Sequence, residues 1–195
     1  MELVLVRHAR AFERDAAAWP DDARRPLTAE GREAFARFAR RLARVRPSVD
    51  LVESSGFVRA WQTAQLLAEE AGWPRPSRLE RLEPGAADET KDETNDETHD
   101  ETHDAAQLAA LRRSALALRG VGSVAWVGHE PVLSRLASLL LTGSPDALSI
   151  RFRKGAALAL RLEDRGAGDA TDRATPRATL SWMLVPSVAA RRRRR

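Results

Sequence analysis

Leu3, Val4, Leu5 and Val6 form an unbroken aliphatic run that ends on Arg7 and His8. A short apolar run of this kind reads as a strand buried on both faces, not as a secretion signal. The period then changes. Phe35, Phe38, Ala39, Leu42 and Val45 recur at helical spacing, with Arg32, Arg37, Arg40, Arg41 and Arg44 on the other faces. This predicts a helix from a cap at Thr28 to about Arg46. Asp50 to Ser55 (DLVESS) predicts a second strand. The helix after it sets Ala60, Trp61, Ala64, Leu67, Ala68 and Ala71 on one side, until Gly72 and Pro74 stop it. Further along, Leu108, Leu111, Ala115 and Leu118 mark another amphipathic helix. SVAWVGHE at Ser123 to Glu130 is a strand that ends on His129, and Pro131 opens a leucine-rich helix to about Thr142. Two late strands, from Ala156 and from Ala178, enclose a turn region containing Gly and Asp.

Strands that alternate with helices imply a mainly parallel sheet with helices on both faces. The expected fold is therefore α/β, a three-layer α/β/α sandwich, to which a closing hairpin adds antiparallel character. With 195 residues, 43% of them hydrophobic, the chain can bury one good core. The absence of cysteine excludes disulfides, thiolate metal sites and cysteine nucleophiles. No apolar run approaches the roughly 18 residues of a membrane span. These features point to a cytoplasmic protein.

Charge divides the chain. Asp88 to Asp104 repeats DETx and carries nine acids against Lys91, while Arg191, Arg192, Arg193, Arg194 and Arg195 close the sequence. The body between these extremes is basic, which suits an anionic substrate. The repeat has no apolar residue to offset the entropy of ordering, and is expected to be a solvated insert at 88-104. His99 and His103 lie four apart within it, but two imidazoles without further converging ligands make a poor metal site. The stretch 187-195 is expected to be a basic, disordered tail, with a weak affinity for polyanions.

The candidate chemistry gathers at strand ends. In open α/β sheets, ligands bind at the C-terminal edge of the strands, and there the pattern delivers Arg7, His8 and His129. SSGFVRAWQTA adds Arg59, in the first turns of a helix that follows a strand. Taken singly, each is unremarkable: an Arg-His pair after a strand is commonly a surface or capping pair. Together, two arginines and two histidines suit a phosphoryl group. Displacement at phosphorus needs an in-line nucleophile and stabilised equatorial oxygens, and imidazole attacks at neutral pH without prior deprotonation. On this reading His8 is the nucleophile and Arg7 and Arg59 are bidentate clamps. His129, if cationic beside an anionic substrate, donates to the same oxygens. Arg10 is an accessory candidate whose default is a solvated charge.

These blocks carry a family resemblance. The RHA at Arg7 to Ala9, RRPLTAEG at Arg24 to Gly31, SGFVRAWQTA around Arg59, VGHEP at Val127 to Pro131 and LSWMLVP at Leu180 to Pro186 resemble the histidine phosphatase superfamily. Within it they are most similar to the small SixA-type phosphohistidine phosphatases. The resemblance runs from Met1 to about Pro186 and implies a phosphoglycerate mutase-like domain over 1-186, interrupted by the acidic insert. It implies the four roles above for Arg7, His8, Arg59 and His129, a phosphohistidine intermediate, and no metal or other cofactor. Ala9 is a departure, since the wider superfamily usually has glycine there; alanine is acceptable if φ stays negative.

The leaving group separates the subclasses. Phosphomonoesterases of this superfamily supply a carboxylate between the second arginine and the second histidine. The candidate here is Glu83 in RLEPGA, with Glu80 behind it. A phosphorylated imidazole is already activated and needs less help. The expected function is thus phosphohistidine phosphatase acting on a protein. The alternatives are a small-molecule phosphomonoesterase of the same superfamily and, in another class, a non-catalytic phosphate-binding or scaffolding protein.

Overall fold

The computed structural model describes residues 1–84, 100–118, 120–163 and 178–186. A six-stranded sheet forms its centre, built from β1 (Glu2–Arg7), β2 (Leu51–Ser54), β3 (Ser77–Arg78), β4 (Ser123–Gly128), β5 (Ala157–Leu162) and β6 (Ala178–Leu184). Their order across the sheet is β3-β2-β4-β1-β5-β6. The first four of these neighbours pair in parallel, whereas β5 runs antiparallel to β1 and to β6. The predicted mixed sheet, parallel with an antiparallel closing hairpin, is therefore present.

Four helices cover the two faces: α1 (Ala29–Val45), α2 (Val58–Ala71), α3 (Asp100–Ala117) and α4 (Val132–Thr142). Alternation along the central strands assigns side chains to one face or the other. Val4, Val6, Ala125 and Val127 pack with Phe35, Phe38 and Leu42 of α1 and with Ala60, Ala64 and Leu67 of α2. Leu3, Leu5, Val124 and Trp126 pack on the opposite face with Leu108 and Leu111 of α3 and with Leu133 and Leu136 of α4. The polar atom of the fully buried Trp126 is satisfied, since its indole N–H donates to Glu53 at 2.7 Å. Among the described residues no helix is long and apolar enough to cross a membrane.

Several local expectations hold. Thr28 caps α1 by accepting from the Gly31 N–H at 3.0 Å, and Gly72 ends α2 in the left-handed conformation that glycine favours. Others shift. Val45, expected on the apolar stripe, is 49% exposed in the last turn of α1, where Leu42 is the last buried residue of the helix. Pro131 stands just outside α4 rather than beginning it. Residues 100–104, expected within the solvated insert, form the start of α3. There, acids suit the positive end of the helix dipole, and Asp104 pairs with Arg135 of α4 at 2.8 Å. The rest of the insert, with His99, and the tail from 187 to 195 lie outside the described residues, as does the side chain of His103.

Candidate active site

Parallel pairing aligns the ends of β1 and β4 so that Arg7 lies opposite Gly128, and the His8 N–H donates to the Gly128 carbonyl at 3.0 Å. His8 and His129, each the first residue past its strand, therefore emerge side by side with ring centroids 5.1 Å apart. Arg59 reaches the same place from the first turn of α2. Thr63, one turn on, ties the two regions together: its hydroxyl accepts from the Ala9 N–H at 2.9 Å and donates to the Arg59 carbonyl at 2.7 Å. Ala9 keeps a negative φ, so alanine serves at a position where the wider superfamily uses glycine. Arg7, His8, Arg59 and His129 all line one cavity of about 200 Å³. Arg10 is exposed and does not line it.

The tautomer of His8 follows from its partner. A carbonyl oxygen can only accept, so the 2.7 Å contact of Nδ1 with the Ala9 carbonyl fixes the proton on Nδ1. Nε2 of the neutral ring then carries the lone pair. Burial lowers the His8 pKa from 6.5 to about 3, and the charges of Arg59, Arg7 and Lys154 lower it too, against the opposing pull of the Ala9 hydrogen bond. An uncharged, nucleophilic imidazole is the result.

His129 differs. Its Nε2 lies 2.9 Å from the Ser55 hydroxyl, which itself accepts from the Phe57 N–H at 3.2 Å. Its Nδ1 is buried with no hydrogen-bond partner. In the tautomer in which the Ser55 hydroxyl donates to Nε2, the ring proton sits on Nδ1 and can donate to a bound group. His129 was expected to be cationic beside a substrate. Among the protein's own groups, burial first, then the charges of His8, Arg59, Arg7 and Arg25, hold it well below the ordinary imidazole value.

Arg59 is already engaged. Its two terminal nitrogens meet the Asp22 carbonyl at 2.8 Å and the Asp22 carboxylate at 2.9 Å, and its guanidinium lies 4.9 Å from the centre of the Phe57 ring. Asp22 also takes a 2.7 Å hydrogen bond from Arg25. Arg7 donates to the Phe152 carbonyl at 2.6 Å. Arg14, Arg25 and Lys154 add further cations to the cavity wall, and Asp22 and Glu130 supply its carboxylates. Lys154 arrives through a tight turn in which Gly155 has φ +77° and its N–H meets the His8 carbonyl at 3.0 Å. Arg25 sits in the RRPLTAEG block, Ser55 in SSGFVRAWQTA and Glu130 in VGHEP, so their signal was in the quoted motifs without a role attached.

Glu83 is not part of the lining. Arg78 grips its carboxylate at 2.6 and 3.0 Å, and the Gly56 N–H donates to it at 3.0 Å. The Arg78 hydrogen bond holds this carboxyl below its usual value, against a smaller opposing effect of burial. Glu80 is a weaker partner of the same arginine, at 3.8 Å. Among the described residues no three of His, Cys, Asp and Glu converge as metal ligands.

An α/β/α sandwich with a small cationic pocket at the C-terminal edge of its parallel strands is suited to an anionic ligand. The family model of the histidine phosphatase superfamily (branch 1) matches residues 3–117, and the chain belongs to that superfamily. It is therefore a phosphatase that uses a histidine nucleophile on a phosphorylated substrate. Solved structures agree on the fold. The protein histidine phosphatase SixA complexed with tungstate is 22% identical, covering 95% of this chain and 97% of that one, with a TM-score of 0.70. An Escherichia coli protein provisionally assigned as an α-ribazole-5′-P phosphatase is 21% identical over 96% and 98%, with a TM-score of 0.69. A mycobacterial glucosyl-3-phosphoglycerate phosphatase is 18% identical over 93% and 97%, with a TM-score of 0.59. No curated protein sequence matches the chain.

Proposed function

We propose that the protein is a phosphohistidine phosphatase, which removes a phosphoryl group from a protein by way of a covalent phosphohistidine at His8. The observation that carries this reading is the size of the cavity. At about 200 Å³ it falls below the 300 to 1,000 Å³ usual for sites that enclose a metabolite, while a phosphoryl group presented from outside needs no more. The likeness to SixA, solved with the oxyanion tungstate, supports the same choice.

In the reaction, Nε2 of His8 attacks phosphorus and forms the N–P bond as the bond to the leaving atom breaks. Arg7 and Arg59 hold the equatorial oxygens, and Nδ1–H of His129 donates to one of them. Water then cleaves the intermediate and releases inorganic phosphate. The positive lining steers an anionic donor inward. The five terminal arginines are a secondary contact for polyanions, separate from turnover.

Comparing a phosphohistidine-bearing protein with a panel of sugar and nucleoside monophosphates tests this. The phosphoprotein should show the higher kcat/KM, the enzyme should trap an acid-labile, base-stable phosphate, and His8→Ala should lose both. A metabolite turned over faster than the phosphoprotein selects the small-molecule reading, which the α-ribazole-5′-P and glucosyl-3-phosphoglycerate phosphatase neighbours represent.

A further inference from the structure

Phosphoryl transfer leaves one proton to be assigned: a poor leaving group must gain one as its bond to phosphorus breaks. Three carboxyls stand near the site. Glu83 is clamped by Arg78 and Gly56 and does not line the cavity. Asp22 does line it, but Arg25 and Arg59 hold it ionised; their hydrogen bond and charges outweigh its burial. Glu130 is the third. It follows His129 directly, lines the same cavity, is half-buried, and uses one carboxyl oxygen to accept from the Ser134 N–H at 3.2 Å.

We propose that Glu130 is the general acid of this phosphatase and hands its proton to the departing atom as His8 takes the phosphoryl group. The inference rests on the reading of His8 as nucleophile. Two carboxyls in one pocket are driven in opposite directions by their surroundings. Asp22 is pushed down, while burial pushes Glu130 up, against the opposing effects of Ser134 and of Arg7. Such a divergence separates the proton carrier from the fixed anion. The step balances. The Nε2 lone pair of His8 forms the N–P bond, and the bond from phosphorus to the leaving atom breaks. Its electron pair stays on that atom, which takes the Glu130 proton. The resulting carboxylate accepts a proton from the water that attacks the phosphohistidine, the N–P pair returns to Nε2, and Glu130 is reset.

An acid matters most where the leaving group is poor, so the test varies the leaving group. Glu130→Gln keeps an oxygen for the Ser134 N–H and removes the acid. On phenyl phosphate, kcat/KM should fall by about 10² to 10⁴, the usual worth of general acid catalysis. On p-nitrophenyl phosphate and on phosphohistidine the fall should stay under about tenfold, because these groups leave unaided. Equal losses on all three donors would overturn the assignment and leave Glu130 as a helix-capping side chain. If His8→Ala matches the wild type on these donors, it is the nucleophile reading that fails. A measurement without turnover stands beside it: the carboxyl ¹³C titration of Glu130, assigned by difference from Glu130→Gln, should have its midpoint above the ordinary value of about 4.3. A midpoint at or below that value overturns the proposal independently.

Discussion

Ser55 Oγ lies 2.9 Å from Nε2 of His129, so a hydroxyl at the end of one strand holds the ring of a histidine at the end of another. The two residues are brought together because β2 and β4 are parallel neighbours with Ser54 opposite Val127. Ser55→Ala removes the partner of Nε2 and also the acceptor of the Phe57 N–H. We expect kcat to fall by about tenfold or more, since a buried group that loses its partner costs roughly 1–3 kcal/mol. Ser55→Thr should restore most of the rate. Steady-state kinetics of both variants check this; a fully active Ser55→Ala would mean that His129 needs no orientation.

Asp22 holds the arginine that a phosphoryl group must recruit. In Asp22→Asn, Arg59 loses its carboxylate at 2.9 Å and Arg25 loses its own at 2.7 Å. The variant should melt lower than the wild type and gain more from added inorganic phosphate, which takes the place of the lost anion. The carboxyl of Asp22 sits below its usual value, so its contribution to stability is present above about pH 4 and lost as pH falls further. Acid unfolding below pH 4 should accordingly be shallower in Asp22→Asn. Identical phosphate responses in thermal melts of the two proteins would show that Asp22 does not compete with the substrate.

The neutrality of His8 has a stability signature. Its pKa of about 3 in the folded protein lies below the ordinary 6.5 of the unfolded chain. Between these values the unfolded state binds the extra proton. The contribution of the neutral ring is therefore full above pH 6.5 and is lost as pH falls toward 3. His8→Asn should lose less stability than the wild type between pH 7 and pH 4, read from urea midpoints. NMR of the His8 ring should show no titration near pH 6.5. A midpoint there would show that the ring is solvated rather than buried.

Periodic signals were the legible ones. The aliphatic run of β1 and the helical spacing of Phe35, Phe38 and Leu42 each report burial against a neighbouring layer, and sequence alone locates them. Arg7, His8, Arg59 and His129 were found because each is placed by a strand end or by the helix that follows one. The missing parts arise from tertiary pairing. Asp22 meets Arg59 across 37 residues of chain and Ser55 meets His129 across 74, and no local pattern announces either pair. β3, two residues long, is too short to show alternation. Glu83 had the right residue type at the right place in the chain order, but the position of Arg78 five residues earlier decides its charge state.

The loop that carries Asp22 returns to α1 through an unusually close contact, and this gives the last prediction. A Cβ on Gly31 would stand 2.0 Å from the Arg10 carbonyl oxygen and 2.9 Å from its carbon. The same carbonyl accepts from the Thr28 N–H at 3.1 Å, so it cannot move away without breaking the entry to α1. Arg10 is two residues past His8, and any shift there passes along the backbone to Ala9 and its hydrogen bonds to Thr63 and His8. Gly31→Ala should therefore cost about 1–3 kcal/mol, as overpacking of a filled site does, and lower kcat as well. Glu33→Ala, on the exposed face of the same helix, should stay within about 0.5 kcal/mol of the wild type and keep full activity. Denaturant unfolding and kinetics on the pair check this. If Gly31→Ala is as benign as Glu33→Ala, the loop after β1 has slack that the contact excludes, and it does not transmit the position of α1 to His8.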